Sequence, residues 1–211
     1  MQFYVLRPVV GSSHETEFEK AEPVHRGEAA RCPVCGVGYI SLKAWLPPYR
    51  VNVRAWGGGV GDFMFGVWDL LVSDRFRIAW TNAKLRGLDT FEPVEIAGIR
   101  GGGGSRPAPV CFRVIPHSGP TTLDFQRGFI ERTAEPVCLA CGQGATIQSV
   151  RGLSIAENTW SGEDMFRPLG MADLIVASAR LHDLITDYDL KNANFVPLEQ
   201  YVWPPSDARK N

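Results

Sequence analysis

The chain has 211 residues, 45% of them apolar and 21% charged, with 22 basic against 23 acidic side chains. A formal charge of −1 gives no overall pull toward nucleic acid or anionic lipid, so binding either would need a local patch. No apolar run approaches the roughly 18 residues that suggest a membrane span, and the length suits one sizeable core or two small packed halves.

In chain order, Met1-Gln-Phe-Tyr-Val-Leu-Arg-Pro-Val-Val10 reads as a strand. It lacks the basic start, long apolar stretch and small-residue cleavage site of a secretion signal. With reduced cysteines, this points to the cytoplasm. Next comes Cys32-Pro-Val-Cys-Gly-Val-Gly38, and the pattern returns 106 residues later as Cys138-Leu-Ala-Cys-Gly-Gln-Gly144. A C-x-x-C pair can grip a metal ion from one tight turn, and two pairs complete the tetrahedral sulfur shell that zinc prefers. Gly36 and Gly142 can take positive φ and turn backbone N–H groups toward the sulfurs, as in a zinc knuckle.

Such pairs also occur as redox couples or as buried thiols. A redox pair usually opens a helix, whose N-terminus lowers the thiol pKa. The Gly-x-Gly after each pair here discourages a helix. Cys32, Cys35, Cys138 and Cys141 are therefore the expected ligands of one zinc ion. Four thiolates close the shell, so the metal reads as structural and not catalytic. Closing the 102 residues between Cys35 and Cys138 costs about 4 kcal/mol of loop entropy. Structural zinc supplies about 10–16 kcal/mol in small peptides, so chelation is expected to loosen both halves of the chain.

Trp56-Gly-Gly-Gly-Val-Gly-Asp62 reads as a mobile loop, because its glycine register is broken and it has no Walker lysine. Asp69-Leu-Leu-Val72 leads through Ser73, a suitable N-cap, into a helix with Phe76, Ala79, Trp80 and Ala83 on one face. The helix is expected to end near Gly87, and Phe91-Glu-Pro-Val-Glu95 to form a short strand. Gly101-Gly-Gly-Gly-Ser105 reads as a flexible hinge or hairpin loop and also resembles an engineered linker. Cys111, within Val110-Cys-Phe-Arg-Val-Ile115, reads as a core strand residue.

Beyond the second knuckle, Asp173-Leu-Ile-Val176 and Ser178 repeat the helix entry. Leu181, Leu184, Ile185 and Tyr188 form the next helical stripe, Asn192 suits its cap, and Phe195-Val-Pro-Leu-Glu199 closes as a strand. Offsets of 104 to 106 residues join the knuckles, helices and closing strands. The expectation is one α+β domain over residues 1–211. Its two related halves, about 1–106 and 107–211, would each run strand/zinc-knuckle/strand/helix/strand and be joined by the four-cysteine zinc site.

Catalytic signals are sparse. His14, His25, His117 and His182 fall in unrelated contexts, with His182 expected in solvent and His117 in a turn. No nucleophile elbow, zinc-protease motif or close acid pair in an apolar setting is present, so no catalytic residues are expected. Trp56, Trp160 and Trp203 sit in loop-like settings, where they could anchor a protein interface or cap a small core. Asp183, Asp187 and Asp189 make the second helix acidic. That face is either simply solvated or set opposite a basic toxin or nuclease surface.

The paired Cys-x-x-Cys-Gly motifs, the length, and the Asp-Leu-Leu-Val-Ser entry followed by Phe-x-Pro-Val-Glu resemble the double-CXXCG motif family of myxobacteria. The resemblance implies a non-enzymatic immunity protein that binds one cognate swarm-inhibition toxin domain and blocks it, with no nucleic acid or membrane partner. Only the four motif cysteines carry over from it. The expected contacts are the loops around 47–62, 101–108 and 156–168, which are rich in glycine, proline and aromatics. The rival is a zinc-ribbon module for nucleic acid or a transcription complex. Against it stand the balanced charge and the lack of a basic, aromatic-interleaved strand.

Overall fold

In Tyr49-Arg-Val-Asn-Val-Arg-Ala55 every second side chain is apolar, and Tyr49, Val51, Val53 and Ala55 are all buried while the residues between them face outward. Period-two burial of this kind makes a strand with one face on a core. The computed structural model describes residues 1–32, 34–101, 108–138 and 141–204, with 29–30 and 38–43 as backbone. Apart from Gly101, the glycine-rich 101–105 segment lies outside the described residues.

The elements in chain order are β1 (Phe3–Arg7), β2 (Thr16–Lys20), β3 (His25–Arg31), β4 (Gly38–Leu46), β5 (Tyr49–Ala55), β6 (Phe63–Phe65) and β7 (Leu70–Ser73). Then come α1 (Asp74–Asn82), β8 (Glu92–Gly101), β9 (Cys111–Val114), β10 (Phe129–Arg132), β11 (Ile147–Arg151) and β12 (Met165–Phe166). The chain continues through β13 (Val176–Ser178), α2 (Ala179–Asp187), β14 (Asn194–Pro197) and β15 (Val202–Trp203).

Six strands close into a barrel in the order β2-β5-β8-β9-β7-β6. The ring is sealed by the parallel contact of Glu17 with Phe65, which leaves it no open edge. Phe18, Val51, Val53, Met64, Leu71 and Cys111 belong to the core cluster of the barrel. A four-stranded sheet, β12-β13-β1-β14, stands beside it. Both helices share the apolar layer that joins the two sheets, through Phe76 and Trp80 of α1 and Leu181, Leu184 and Ile185 of α2. The far face of the second sheet packs Val5, Phe166 and Val176 against Val150 of the small β10-β11-β15 sheet. Among the described residues no helix is long and apolar enough to cross a membrane.

This architecture corrects the expected α+β pair of related halves. The chain is mostly β, with 40% strand and 11% helix, and is organised around the barrel. The helices have only nine residues each. The short strand expected over 91–95 is the start of the ten-residue β8, a barrel stave running parallel to β5, with Pro93 at its opening. The expected halves also exchange strands. β9 lies past residue 107 yet pairs with β7 and β8, and β1 pairs with β13 and β14 from the far end of the chain. The first length of chain builds most of a closed barrel while the second builds two open sheets, so matched local sequence did not mean matched folds.

What the matched segments do share is a capping arrangement. Ser73 and Ser178 cap their helices by accepting from the N–H of Phe76 and Leu181. Each serine hydroxyl in turn donates to a buried carboxylate, Asp62 or Asp164. Asp62 also accepts from the Lys191 N–H, just after α2, at 2.8 Å, and Asp164 accepts from the Arg86 N–H, just after α1, at 2.9 Å. Arg75 of α1 bridges Asp62 to the Tyr188 carbonyl at the end of α2, while Arg180 of α2 bridges Asp164 to the Ala83 carbonyl at the end of α1. Each helix start is thereby tied to the other helix's end. Cationic guanidinium groups at the carbonyl ends also suit the helix dipoles.

Several local expectations shift. Both helices leave through a left-handed residue, but it is Lys84 (φ 51°) or Asp189 (φ 47°), ahead of Gly87 and Asn192. Tyr188 is 48% exposed and does not belong to the core stripe. His182 is not simply solvated: it stacks on Tyr4 with ring centroids 4.7 Å apart and meets Phe195 edge-on.

Candidate metal centre

β3 and β4 form a separate antiparallel hairpin, with Arg31 opposite Gly38, and its turn carries the first cysteine pair. In that turn the Gly36 N–H donates to the Cys32 carbonyl at 2.9 Å, and the Cys32 N–H donates to Val37 at 2.8 Å. The second turn repeats the motif. The Gly142 N–H donates to the Cys138 carbonyl at 2.8 Å, and the Val137 N–H donates to Gln143 at 2.7 Å. Gly36 at φ 72° and Gly142 at φ 70° adopt the left-handed conformation that a side chain would strain. Pro33, Leu139 and Ala140 lie outside the described residues.

The two turns meet head to head. All four sulfurs lie within 4.8 Å of one another. Cys32 Sγ is 4.0 Å from Cys138 Sγ, and Cys35 Sγ is 3.7 Å from Cys141 Sγ. All are free thiols, so the expected ligand set is assembled without a disulfide. Cys32 and Cys138 are buried, Cys141 is half-buried and Cys35 faces solvent.

The donor set fits a cation. The Cys35 backbone N–H, with help from that of Val34 and against desolvation, lowers the Cys32 thiol to about 6. Cys141 is pushed up to about 12 by desolvation, and the neighbouring sulfurs add to this. At Cys35 the Val37 N–H favours the thiolate, but desolvation and the sulfurs of Cys32 and Cys138 together raise the pKa. Backbone N–H groups thus favour the thiolate at Cys32, while desolvation and neighbouring sulfurs oppose it at Cys35 and Cys141, and a bound cation removes that conflict. Arg31 supports the first turn by donating to the Gly36 carbonyl at 3.2 Å.

The remaining sequence candidates lie elsewhere. Cys111 sits in the barrel core at 1% exposure, and burial pushes its thiol up to about 11. His117 pairs with the Asp89 carboxylate, and among the described residues no histidine joins the cysteine cluster. Trp160 is half-buried and donates its indole N–H to the Glu163 carbonyl. Glu163, Asp164 and Arg167 are buried too, so much of the 156–168 segment is packed and not free surface.

Sequence reading missed a polar layer at one end of the barrel. Arg113 reaches Asp69 and Glu92 at 3.0 and 2.8 Å, Lys20 reaches Asp69 at 2.7 Å, and the Tyr49 hydroxyl donates to Glu92 at 2.9 Å. Trp45, on the base of the hairpin, lies 3% exposed against this layer. The Lys20 ammonium stands 4.7 Å and the Arg113 guanidinium 5.6 Å from the indole ring. The layer balances two positive against two negative side chains. Its members come from five strands and a turn with no spacing signal, so only the fold could assemble them.

The fold and the site together define a mostly β, barrel-based protein with a four-cysteine centre able to hold a metal ion. No protein-family model matches the chain, and no curated protein matches it.

Proposed function

We propose that this chain is a cytoplasmic immunity protein that binds and neutralises a cognate toxin domain of the swarm-inhibition type, with one structural zinc ion joining its two cysteine turns. The observation that carries the reading is the convergence of Cys32, Cys35, Cys138 and Cys141, the same motif positions on which the resemblance to the myxobacterial double-CXXCG family rests. Four soft thiolate donors suit zinc, and a full sulfur shell keeps no position for a substrate, which favours scaffolding over catalysis. The metal, when bound, neutralises the sulfurs and fixes the hairpin tip. The chain's own turns supply the N–H donors that orient those sulfurs. A rigid frame of this kind presents loops with little ordering cost on binding, which is what selective inhibition needs. Trp56, 56% exposed with the Arg54 guanidinium 4.6 Å from its ring, is the aromatic best placed to anchor a partner.

The test is growth of a sensitive host making the toxin-like product of the adjacent gene, with this chain or with its four-cysteine-to-serine variant. Rescue by the native chain alone is expected, together with one zinc per purified chain by elemental analysis. Absence of rescue removes the immunity reading. One feature favours the zinc-ribbon alternative: Arg54 and Arg100 are register partners on β5 and β8, beside Trp56. A salt-dependent shift of mixed oligonucleotides by the pure protein would put that alternative first.

A further inference from the structure

We propose that the four-cysteine centre is also an oxidation site, in which a peroxide joins Cys35 to Cys141 across the two turns and expels the metal. The geometry selects this pair. Cys35 is the one exposed sulfur, and Cys141, half-buried, lies 3.7 Å from it on the opposite turn. Cys32 and Cys138, at 2% and 6% exposure, are screened from a reagent arriving through solvent. A cavity of about 410 Å³, lined by Cys141 and Gly142 on one side and by Met171, Tyr201 and Trp203 on the other, gives the second sulfur its own approach. Redox chemistry at thiols follows thiolate character, exposure and a nearby resolving sulfur; in the metal-loaded chain all four ligands are thiolates, so exposure and pairing decide among them.

The Cys35 thiolate attacks one peroxide oxygen and the O–O bond breaks, giving a sulfenic acid and hydroxide. The Cys141 thiolate then attacks the Cys35 sulfur and expels a second hydroxide. Both hydroxides take up protons, so two thiolates, one hydrogen peroxide and two protons yield one disulfide and two waters. The sulfurs lose two electrons and the peroxide gains them. With two of four donors consumed, Cys32 and Cys138 alone would remain to hold a metal, and it would be released. Because the new bond joins residues 35 and 141, the hairpin tip stays tethered to the second turn after the metal has gone. A disulfide within either C-x-x-C pair would have let it go.

The experiment uses the native, metal-loaded chain and one equivalent of hydrogen peroxide, followed by N-ethylmaleimide, digestion without reduction, mass spectrometry and a chromogenic assay for released metal. The expected result is a Cys35–Cys141 peptide pair that outnumbers all other linked pairs, metal release in proportion to it, and Cys111 recovered unlinked. The proposal is overturned if links within a turn, Cys32–Cys35 or Cys138–Cys141, predominate. It is equally overturned if the sulfurs pass to sulfinic acid without linking, or if the metal stays bound. All of this is read on thiols and metal alone, so it stands or falls independently of toxin binding.

Discussion

At the scale of single residues, two buried carboxylates hold more of the molecule than their sequence context suggests. Asp62 accepts from a serine hydroxyl, an arginine and a backbone N–H that lies 129 residues away. Replacing it with alanine orphans those donors, and urea denaturation is expected to show a loss of about 3 kcal/mol. Ser73→Ala, which removes the cap and one of the three donors to the Asp62 side chain, is expected to cost less, about 1–2 kcal/mol. Equal losses for the two variants would mean that Asp62 acts only through Ser73. Cys111 gives a pH-dependent prediction. Its folded pKa is raised from 9.0 to about 11, so between those values the unfolded chain gives up a proton that the folded chain keeps. Stability therefore falls as pH rises from 9 toward 11, by about 2–3 kcal/mol in all, and is unaffected by this group below pH 8. Denaturation of the native chain and of Cys111→Ala at pH 8 and pH 10.5 should show a smaller fall in the variant. Parallel falls would refute the assignment.

At the scale of elements, the described residues of the β3–β4 hairpin dock it through its cysteine turn at the tip and through Trp45 at its base. Trp45→Ala removes a buried ring and two cation–π contacts, for an expected loss of about 4 kcal/mol. Chelation acts on the other end. Hydrogen exchange after metal removal is expected to speed up in residues 25–46 and 137–146 while β5, β7 and β9 keep their protection. Uniform acceleration would mean that the metal supports the barrel directly. What the sequence disclosed about elements follows the range of the forces involved. The knuckle turns, the serine caps and the helical stripes, except for Tyr188 at the end of the second, are set within a few residues and were legible. Closure of the barrel depends on Glu17 meeting Phe65 and on β8 running parallel to β5, pairings between distant segments with no local mark. The prolines of Phe91-Glu-Pro and Phe195-Val-Pro looked alike, yet one opens a long interior stave and the other ends an edge strand. The metal centre was readable because spacing and chemistry coincide in four residues. The polar layer around Arg113 was not, because its members share nothing until the chain folds.

At the scale of the whole molecule, the immunity reading predicts a complex whose formation depends on the metal only through the frame. Titration calorimetry with the isolated toxin domain should show binding by the metal-loaded chain and at least about tenfold weaker binding after chelation, roughly 1.4 kcal/mol. Trp56→Ala should weaken binding by about 2 kcal/mol without altering thermal stability, since the ring is largely outside the core. Unchanged affinity would move the interface to another face.

The exchange of β1 and β9, together with the crossed carboxylate clamps, has a consequence for how the chain comes into being. On a ribosome β1 is made before its partners β13 and β14, which come about 170 and about 190 residues later. The barrel cannot receive β9 until residues 111–114 have been made, and Asp62 waits for Lys191. The β3–β4 hairpin finds its pairing nearby, but the barrel and the sheet around β1 wait for later residues. Synthesis should therefore proceed with the first half unfinished and exposed to chaperones and proteases. Two fragments divided between Gly101 and Ala108 should be unfolded apart and structured only when mixed.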